Sequence, residues 1–202
     1  GQLGEQFLAE GGDLVCLDAQ TGKILWQKNF QKDFNGRMMS GWGYCESVLI
    51  DEGRLICTPG ADTAAVVALK PENGDVIWKA SVPRCGGAGY ASPVRADIGG
   101  VPMYITMLGK SGGVVGVHAE TGKLLWQYTK IVNGTANIPT AIVKGDLVFV
   151  STGYSDGGSA LLRLKNDGGA ISMEELKYYS ARELQNHHGG MVLVGNHLFL
   201  GR

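Results

Sequence analysis

The stretch that decides the fold runs from Asp18 to Trp26 and reads DAQTGKILW. Two related stretches follow it, KPENGDVIW at 70–78 and HAETGKLLW at 118–126. Their turn glycines, Gly22, Gly74 and Gly122, are separated by about 50 residues, and a period of roughly 20 to 50 residues is typical of solenoids and propellers. The chain is therefore expected to repeat one supersecondary unit.

Each copy has the pattern of a β-hairpin. An apolar run (LVCL, VVAL or VVGV) precedes a polar turn that contains Gly, and a second apolar run with Trp in its third position follows. Glycine supplies the positive φ that a short hairpin loop with a bulge requires. A large ring at one fixed position of each repeat is suited to packing against the next repeat, so we expect Trp26, Trp78 and Trp126 to lie between neighbouring units.

A second pair of apolar runs lies upstream of each hairpin. These pairs are SVLI and RLICT, SPVRA and MYITML, and TAIV and LVFVST. Four strands per repeat form an antiparallel meander, and runs such as AAVVAL are apolar at consecutive positions, which indicates a sheet covered on both faces. In a propeller every sheet lies between two neighbours. The sequence therefore predicts an all-β fold, a β-propeller of four-stranded antiparallel blades.

The repeats divide the whole chain, 1–202, into parts of a propeller. The predicted parts are the end of one blade at 1–30, blades at 41–83 and 87–130, a degenerate blade without the Trp at 134–180, and the start of another at 185–202. About four blades are present, and ring propellers usually have four to eight. We expect the chain to be part of a larger ring; a closed four-bladed ring and a ring completed by two chains remain open alternatives.

One segment of the degenerate blade is ambiguous. The sequence MEELKYY at 173–179 follows Ser172, which together with Glu175 resembles a helix capping box. The register of the repeat instead makes this segment the last strand of its blade. The strand is the favoured interpretation.

Composition excludes several classes of function. The chain has a formal net charge of −1 and no cluster of Lys and Arg, so it lacks the electrostatic footprint of a nucleic-acid-binding protein. No apolar stretch approaches the roughly 18 residues of a transmembrane segment. Cys16, Cys45, Cys57 and Cys85 show no metal-binding spacing, and the sequence leaves their disulfide state open.

The repeat resembles the tryptophan-docking motif of the quinoprotein-like β-propellers, which carry repeats of the pyrroloquinoline-quinone type. The resemblance rests on the apolar run, the Ala-x-Thr-Gly-Lys turn and the Trp, and it covers nearly the whole chain. Lys70 and His118 depart from it, because they stand where the first copy has Asp18. The family includes quinone-dependent dehydrogenases and non-catalytic relatives of the outer-membrane assembly machinery. The resemblance implies export to the periplasm or cell surface.

The unusual residues cluster in the segments that lead into the innermost strand of each blade. These lead-in segments read GWGYCESV (41–48), GAGYASPV (87–94), GTANIPTA (134–141) and QNHHGGMV (185–192). Because such segments approach the propeller axis from successive blades, we expect their side chains to form a ligand or cofactor mouth. The candidate residues are Trp42, Tyr44, Glu46, Tyr90, Ser92, Asn137, His187 and His188. Alternatively, these residues only close the tunnel and bond one another.

Two classes of function follow from this reasoning. The first is a non-catalytic scaffold for binding or assembly, which presents its loops to a protein or saccharide partner. The second, implied by the resemblance, is an alcohol or sugar dehydrogenase in which pyrroloquinoline quinone stacks on Trp42 and Ca²⁺ is bound by Glu46 and Asn137. The alcohol dehydrogenases of the family carry two adjacent cysteines under the quinone, and no two cysteines are adjacent here. No catalytic residue can be assigned, and the scaffold is the favoured interpretation.

Overall fold

The computed structural model describes residues 4–154 and 156–201, which form antiparallel strands and one five-residue helix. The strands of the first half are β1 (Gly4–Leu8), β2 (Asp13–Asp18), β3 (Ile24–Asn29), β4 (Leu49–Asp51), β5 (Arg54–Cys57), β6 (Val66–Leu69), β7 (Val76–Ala80) and β8 (Val94–Ile98). The strands of the second half are β9 (Val101–Met107), β10 (Val114–His118), β11 (Leu124–Tyr128), β12 (Ile142–Lys144), β13 (Leu147–Thr152), β14 (Gly158–Asp167), β15 (Ala170–Ser180), β16 (Met191–Val194) and β17 (His197–Leu200). The helix α1 (Phe30–Phe34) follows β3.

The strands pair in sequence order into five sheets. We name them blade 1 (β1–β3), blade 2 (β4–β7), blade 3 (β8–β11), blade 4 (β12–β15) and blade 5 (β16–β17). Blades 2, 3 and 4 are four-stranded antiparallel meanders, which confirms the predicted fold class. The four residues of β6 are all buried, as expected for a strand that is covered on both faces. The segment MEELKYY lies in β15, so the strand interpretation is confirmed and the capping-box helix is wrong.

The repeated turn has one backbone geometry in all three copies. Gly22, Gly74 and Gly122 have φ values of 68°, 72° and 68°. The amide of each glycine donates to the carbonyl oxygen four residues earlier, at 2.8 to 2.9 Å. Because that acceptor is a backbone atom, the turn tolerates Lys70 and His118 at its first position.

The side chain at the first position adds to the turn in two of the copies. The Oδ1 atom of Asp18 accepts hydrogen bonds from the Gln20 amide at 3.1 Å and the Thr21 amide at 2.7 Å. The Nδ1 atom of His118 accepts one from the Glu120 amide at 3.2 Å. The departure of His118 from the repeat therefore preserves an acceptor at the same place.

Tryptophan packing between blades is confirmed for the first two copies. The Trp26 indole N–H donates to the Pro71 carbonyl of blade 2 at 2.8 Å, and that of Trp78 donates to the Ala119 carbonyl of blade 3 at 3.0 Å. Each ring therefore docks onto the turn of the following blade. The indole of Trp126 instead faces Met103 Sδ in its own blade, at 3.3 Å, although its ring is buried in the core that blades 3 and 4 share.

Blade 4 replaces that docking with a longer hairpin. Its outer strands contain 10 and 11 residues. At their turn, Asn166 Nδ2 donates to the Gly99 carbonyl of blade 3 at 2.9 Å. The degenerate repeat is thus held to its neighbour by the hairpin tip.

The helix α1 was not anticipated from the sequence. The Asn29 side chain caps it by accepting hydrogen bonds from two backbone amides, and Asn35, with φ 54°, ends it. Phe30 and Phe34 are buried, so the helix fixes the connection from blade 1 to the first lead-in segment. No helix in the described ranges has the length and hydrophobicity needed to cross a membrane.

Candidate functional site

The lead-in segments of blades 2, 3 and 4 lie side by side. Just before the first of these segments, the Arg37 carbonyl accepts a hydrogen bond from the Ala88 amide at 2.8 Å, and the Met39 amide donates to the Ala88 carbonyl at 3.0 Å. The Tyr90 amide donates to the Asn137 carbonyl at 2.8 Å. These bonds give each segment a fixed position relative to the next, which is the condition for a site built from several blades.

A cavity of about 350 Å³ opens where the segments meet. We call it the aromatic cavity, and it is lined by Trp42, Cys45, Tyr90, Ala136, Ile138, Tyr154 and His188. Three of the eight candidate residues line it, one each from blades 2, 3 and 5. Tyr154 is not among the predicted residues, because it lies in the loop after β13 and outside the lead-in segments.

One wall of the cavity consists of Trp42 and Tyr90. Their ring centroids are 6.2 Å apart at an interplanar angle of 63°. The Tyr90 hydroxyl lies 2.6 Å from Ser40 Oγ, and that serine donates to the Thr135 carbonyl at 2.7 Å. Tyr90 is therefore fixed, whereas 60% of Trp42 is exposed. In the described part of the chain, the Trp42 ring is therefore open to contact from outside.

A second wall of the cavity is built on a stack of rings. His188 stacks on His187 with centroids 3.9 Å apart, and Tyr154 meets His187 edge-on at 4.2 Å. His187 lies behind this wall, and its buried Nε2 has no hydrogen-bond partner in the described ranges. Tyr154 lies in the loop after β13 and has a positive φ of 65°. Contacts among the rings thus preorganise this wall as well.

Glu46 does not line the cavity. It is 7% exposed, its Oε1 atom accepts a hydrogen bond from the Thr58 amide at 2.6 Å, and its Oε2 atom has no partner among the described residues. Burial raises the pKa of this carboxyl to about 7, against the lowering effect of the hydrogen bonds from Thr58. Its role in the structure is to hold the end of β5.

Asn137 is fully buried and engaged on both sides of its amide. Its Oδ1 atom accepts a hydrogen bond from the Asn133 amide at 3.0 Å, and its Nδ2 atom donates to the Leu108 carbonyl at 2.9 Å. The side chain therefore fixes the loop between blades 3 and 4.

Tyr44 and Ser92 also make structural contacts. The Tyr44 hydroxyl donates to the Pro59 carbonyl at 2.8 Å, and its ring packs edge-on against Phe30. The Ser92 hydroxyl accepts a hydrogen bond from the Ser47 amide at 2.9 Å, which ties blade 2 to blade 3. Neither side chain lines the aromatic cavity.

These side chains do not fit a calcium and quinone site. Ca²⁺ takes six to eight oxygen ligands. Glu46 and Asn137 already hold backbone amides, and neither lines the cavity on which Trp42 borders. Over residues 4–154 and 156–201, no group of three or more His, Cys, Asp or Glu side chains could hold a metal ion. All four cysteines are free, and only Cys45 is exposed.

Comparison with known proteins agrees with the fold. The family model described as outer membrane protein assembly factor BamB, a model of repeats of the pyrroloquinoline-quinone type, matches residues 4–202. The chain belongs to this family. The PQQ-repeat propellers include both of the relatives that follow.

Two curated relatives carry different activities in their names. The chain is 28% identical over 176 residues to outer membrane protein assembly factor BamB of Burkholderia pseudomallei (strain K96243), covering 80% of this chain and 41% of that protein. It is 24% identical over 207 residues to the dehydrogenase subunit of a quinone alcohol dehydrogenase of Gluconobacter oxydans (strain 621H), covering 91% and 26%. The chain thus spans less than half of either relative.

A solved structure shares the fold. The quinohemoprotein alcohol dehydrogenase of Comamonas testosteroni superposes with a TM-score of 0.60 at 11% identity, over 98% of this chain and 37% of that one. At this identity the likeness concerns the propeller architecture alone.

Proposed function

We propose that this chain is part of a non-catalytic propeller that binds a protein partner as a scaffold in outer membrane protein assembly. The proposal rests on what the side chains of Glu46 and Asn137 bind. Glu46 Oε1 and Asn137 Oδ1 hold the backbone amides of Thr58 and Asn133, whereas a quinone site would require these side chains to face a cation. The rings of the aromatic cavity offer a contact surface for a partner.

The family model and one of the two relatives support the same direction, whereas the Gluconobacter relative is named as a dehydrogenase. The family description and the Burkholderia relative both name outer membrane protein assembly. Such a role requires export to the periplasm or the cell surface. Protein is the proposed class of partner, and nucleic acid is not, because the net charge of −1 offers no attraction for phosphate.

The proposal is tested in the host and with the purified full-length protein. Deletion of the gene is expected to lower the amount of folded protein in the outer membrane, and the wild-type gene is expected to restore it. Pyrroloquinoline quinone with Ca²⁺ is expected to cause no saturable rise in melting temperature at micromolar concentration, since a ligand that binds the folded state would raise it.

The opposite result has its own signature. A saturable thermal shift that disappears with a calcium chelator, and that the Glu46→Gln variant weakens, would establish the quinone-dependent dehydrogenase instead. The matched control is Glu72→Gln, which removes an exposed glutamate from the turn after β6.

A further inference from the structure

We propose that the aromatic cavity docks an uncharged, extended segment of the partner protein that contains proline. This inference rests on the proposed scaffold role and adds the chemistry of the segment that is recognised. The cavity volume of about 350 Å³ lies within the range of known ligand pockets, roughly 300 to 1,000 Å³. Its lining comes from four blades, so it is a feature of the assembled propeller.

The charge of the lining argues for a neutral ligand. Within the part of the chain that the structure describes, no Asp, Glu, Lys or Arg lines the cavity. In the loop that contains Tyr154, the carboxylate of Asp156 is already paired with Lys110 at 2.8 Å. A charged ligand group would lose its hydration without gaining a counter-charge, which is costly.

The hydrogen-bonding capacity of the lining argues against a saccharide. A sugar ring presents several hydroxyl groups that must all be satisfied on burial. Among the described residues, no Asn, Gln, Asp, Glu or Arg lines the cavity, which leaves the Tyr154 hydroxyl and the His188 imidazole to serve them. The Tyr90 hydroxyl is engaged by Ser40, and the Cys45 thiol is directed at the Tyr90 carbonyl at 3.9 Å.

Proline fits this surface for two physical reasons. It has no backbone N–H to satisfy, and its fixed φ means that an extended segment loses little conformational entropy on binding. Aromatic-lined grooves are a recurring way of recognising proline-rich segments. Trp42, which is 60% exposed, and Tyr90, set at 63° to it, offer two aromatic surfaces to such a ring.

The test follows Trp42 directly in the full-length protein. The protein is labelled with fluorotryptophan, and the Trp42 signal is assigned from the Trp42→Phe variant. A capped polyproline peptide is then titrated, with cellobiose in a parallel titration. We expect the peptide to shift the Trp42 signal saturably and cellobiose to leave it in place.

Matched variants define the site. Trp42→Ala is expected to weaken peptide binding about tenfold or more, as for an aromatic hot spot. Trp42→Phe is expected to retain most of the binding. Phe199→Ala removes an aromatic side chain that is also 60% exposed but lies outside the cavity, and it is expected to have no effect.

Each contrary outcome overturns a different statement. A Trp42 signal that polyproline does not move, or that cellobiose moves instead, overturns the proline inference. Neither result affects the deletion and quinone experiments on which the scaffold role depends. A calcium-dependent response to the quinone would overturn the scaffold role itself.

Discussion

Glu46 is a residue whose surroundings oppose its charge. It is only 7% exposed. Burial is the largest influence on its pKa and raises it from 4.5 to about 7. Only Oε1 has a hydrogen-bond partner within the described chain. The folded state therefore favours the protonated acid at mildly acidic pH.

This environment predicts how stability depends on pH. Because the pKa of Glu46 is higher in the folded than in the unfolded state, its contribution is complete below about pH 4.5 and is lost as pH rises through about 7. The free energies of unfolding of the wild type and of Glu46→Gln, measured by chemical denaturation across this pH range, should diverge by on the order of 3 kcal/mol between its limits. Glu72→Gln should not diverge in this way. Parallel curves for Glu46→Gln would contradict the assigned environment.

The four tryptophans show how position decides the role of one residue type. Trp26, Trp78 and Trp126 belong to the repeat, and each indole N–H has a partner within the fold. Trp42 lies outside the repeat, and 60% of it remains exposed beside the cavity. The sequence identified Trp42 as unusual, but only the fold shows that it is accessible.

At the scale of the element, a repeated hairpin is joined to the preceding blade where a tryptophan ring of that blade packs on its turn. A Cβ atom added at Gly122 would lie 2.5 Å from the Trp78 ring, whereas one added at Gly22 would meet nothing within 4 Å. Both glycines have φ 68°. The two positions therefore share one backbone requirement and differ in whether a tryptophan ring packs against them.

This pair separates backbone strain from docking. Gly22→Ala should cost about 1–2 kcal/mol because of its left-handed conformation. Gly122→Ala should cost a further 1–3 kcal/mol or so, since the added methyl group displaces Trp78. Urea denaturation of both variants measures the difference. Equal costs would show that the ring does not hold the turn of the next blade.

At the scale of the whole molecule, burial is greatest in the middle of the chain. The strands β5, β6, β9 and β10 are mostly buried, whereas β16 and β17 leave Val192, Val194 and Phe199 57–60% exposed. A bridge between blades reinforces the middle: Asp51 Oδ2 accepts hydrogen bonds from Arg95 at 2.6 Å and from the Tyr104 hydroxyl at 2.7 Å.

Hydrogen exchange should follow this gradient. In the 202-residue chain, amides of blades 2 and 3 are expected to exchange slowest and those of β16 and β17 fastest, because protection tracks local burial and packing. Mass spectrometry of peptic fragments resolves the blades. Uniform protection across the chain would show that the blades open as one cooperative unit.

The sequence by itself determined the repeat, and through it the fold. The spacing of Gly22, Gly74 and Gly122, with a Trp after each, fixed the hairpins because turn geometry and strand pairing are local properties. It also located the lead-in segments. The helix α1 is not predicted by the sequence, because it is short and its stability depends on burying Phe30 and Phe34 against the rest of the fold.

Only the tertiary structure decided which candidate residues share a site. Trp42, Tyr90 and His188 line one cavity with Tyr154, whereas Glu46 and Asn137 bind backbone amides elsewhere. Residue type indicates what a side chain can bind, but its direction depends on the loop that carries it and on the neighbouring blade that packs against it. Those contacts join residues about 45 to 100 positions apart, and no local pattern encodes them.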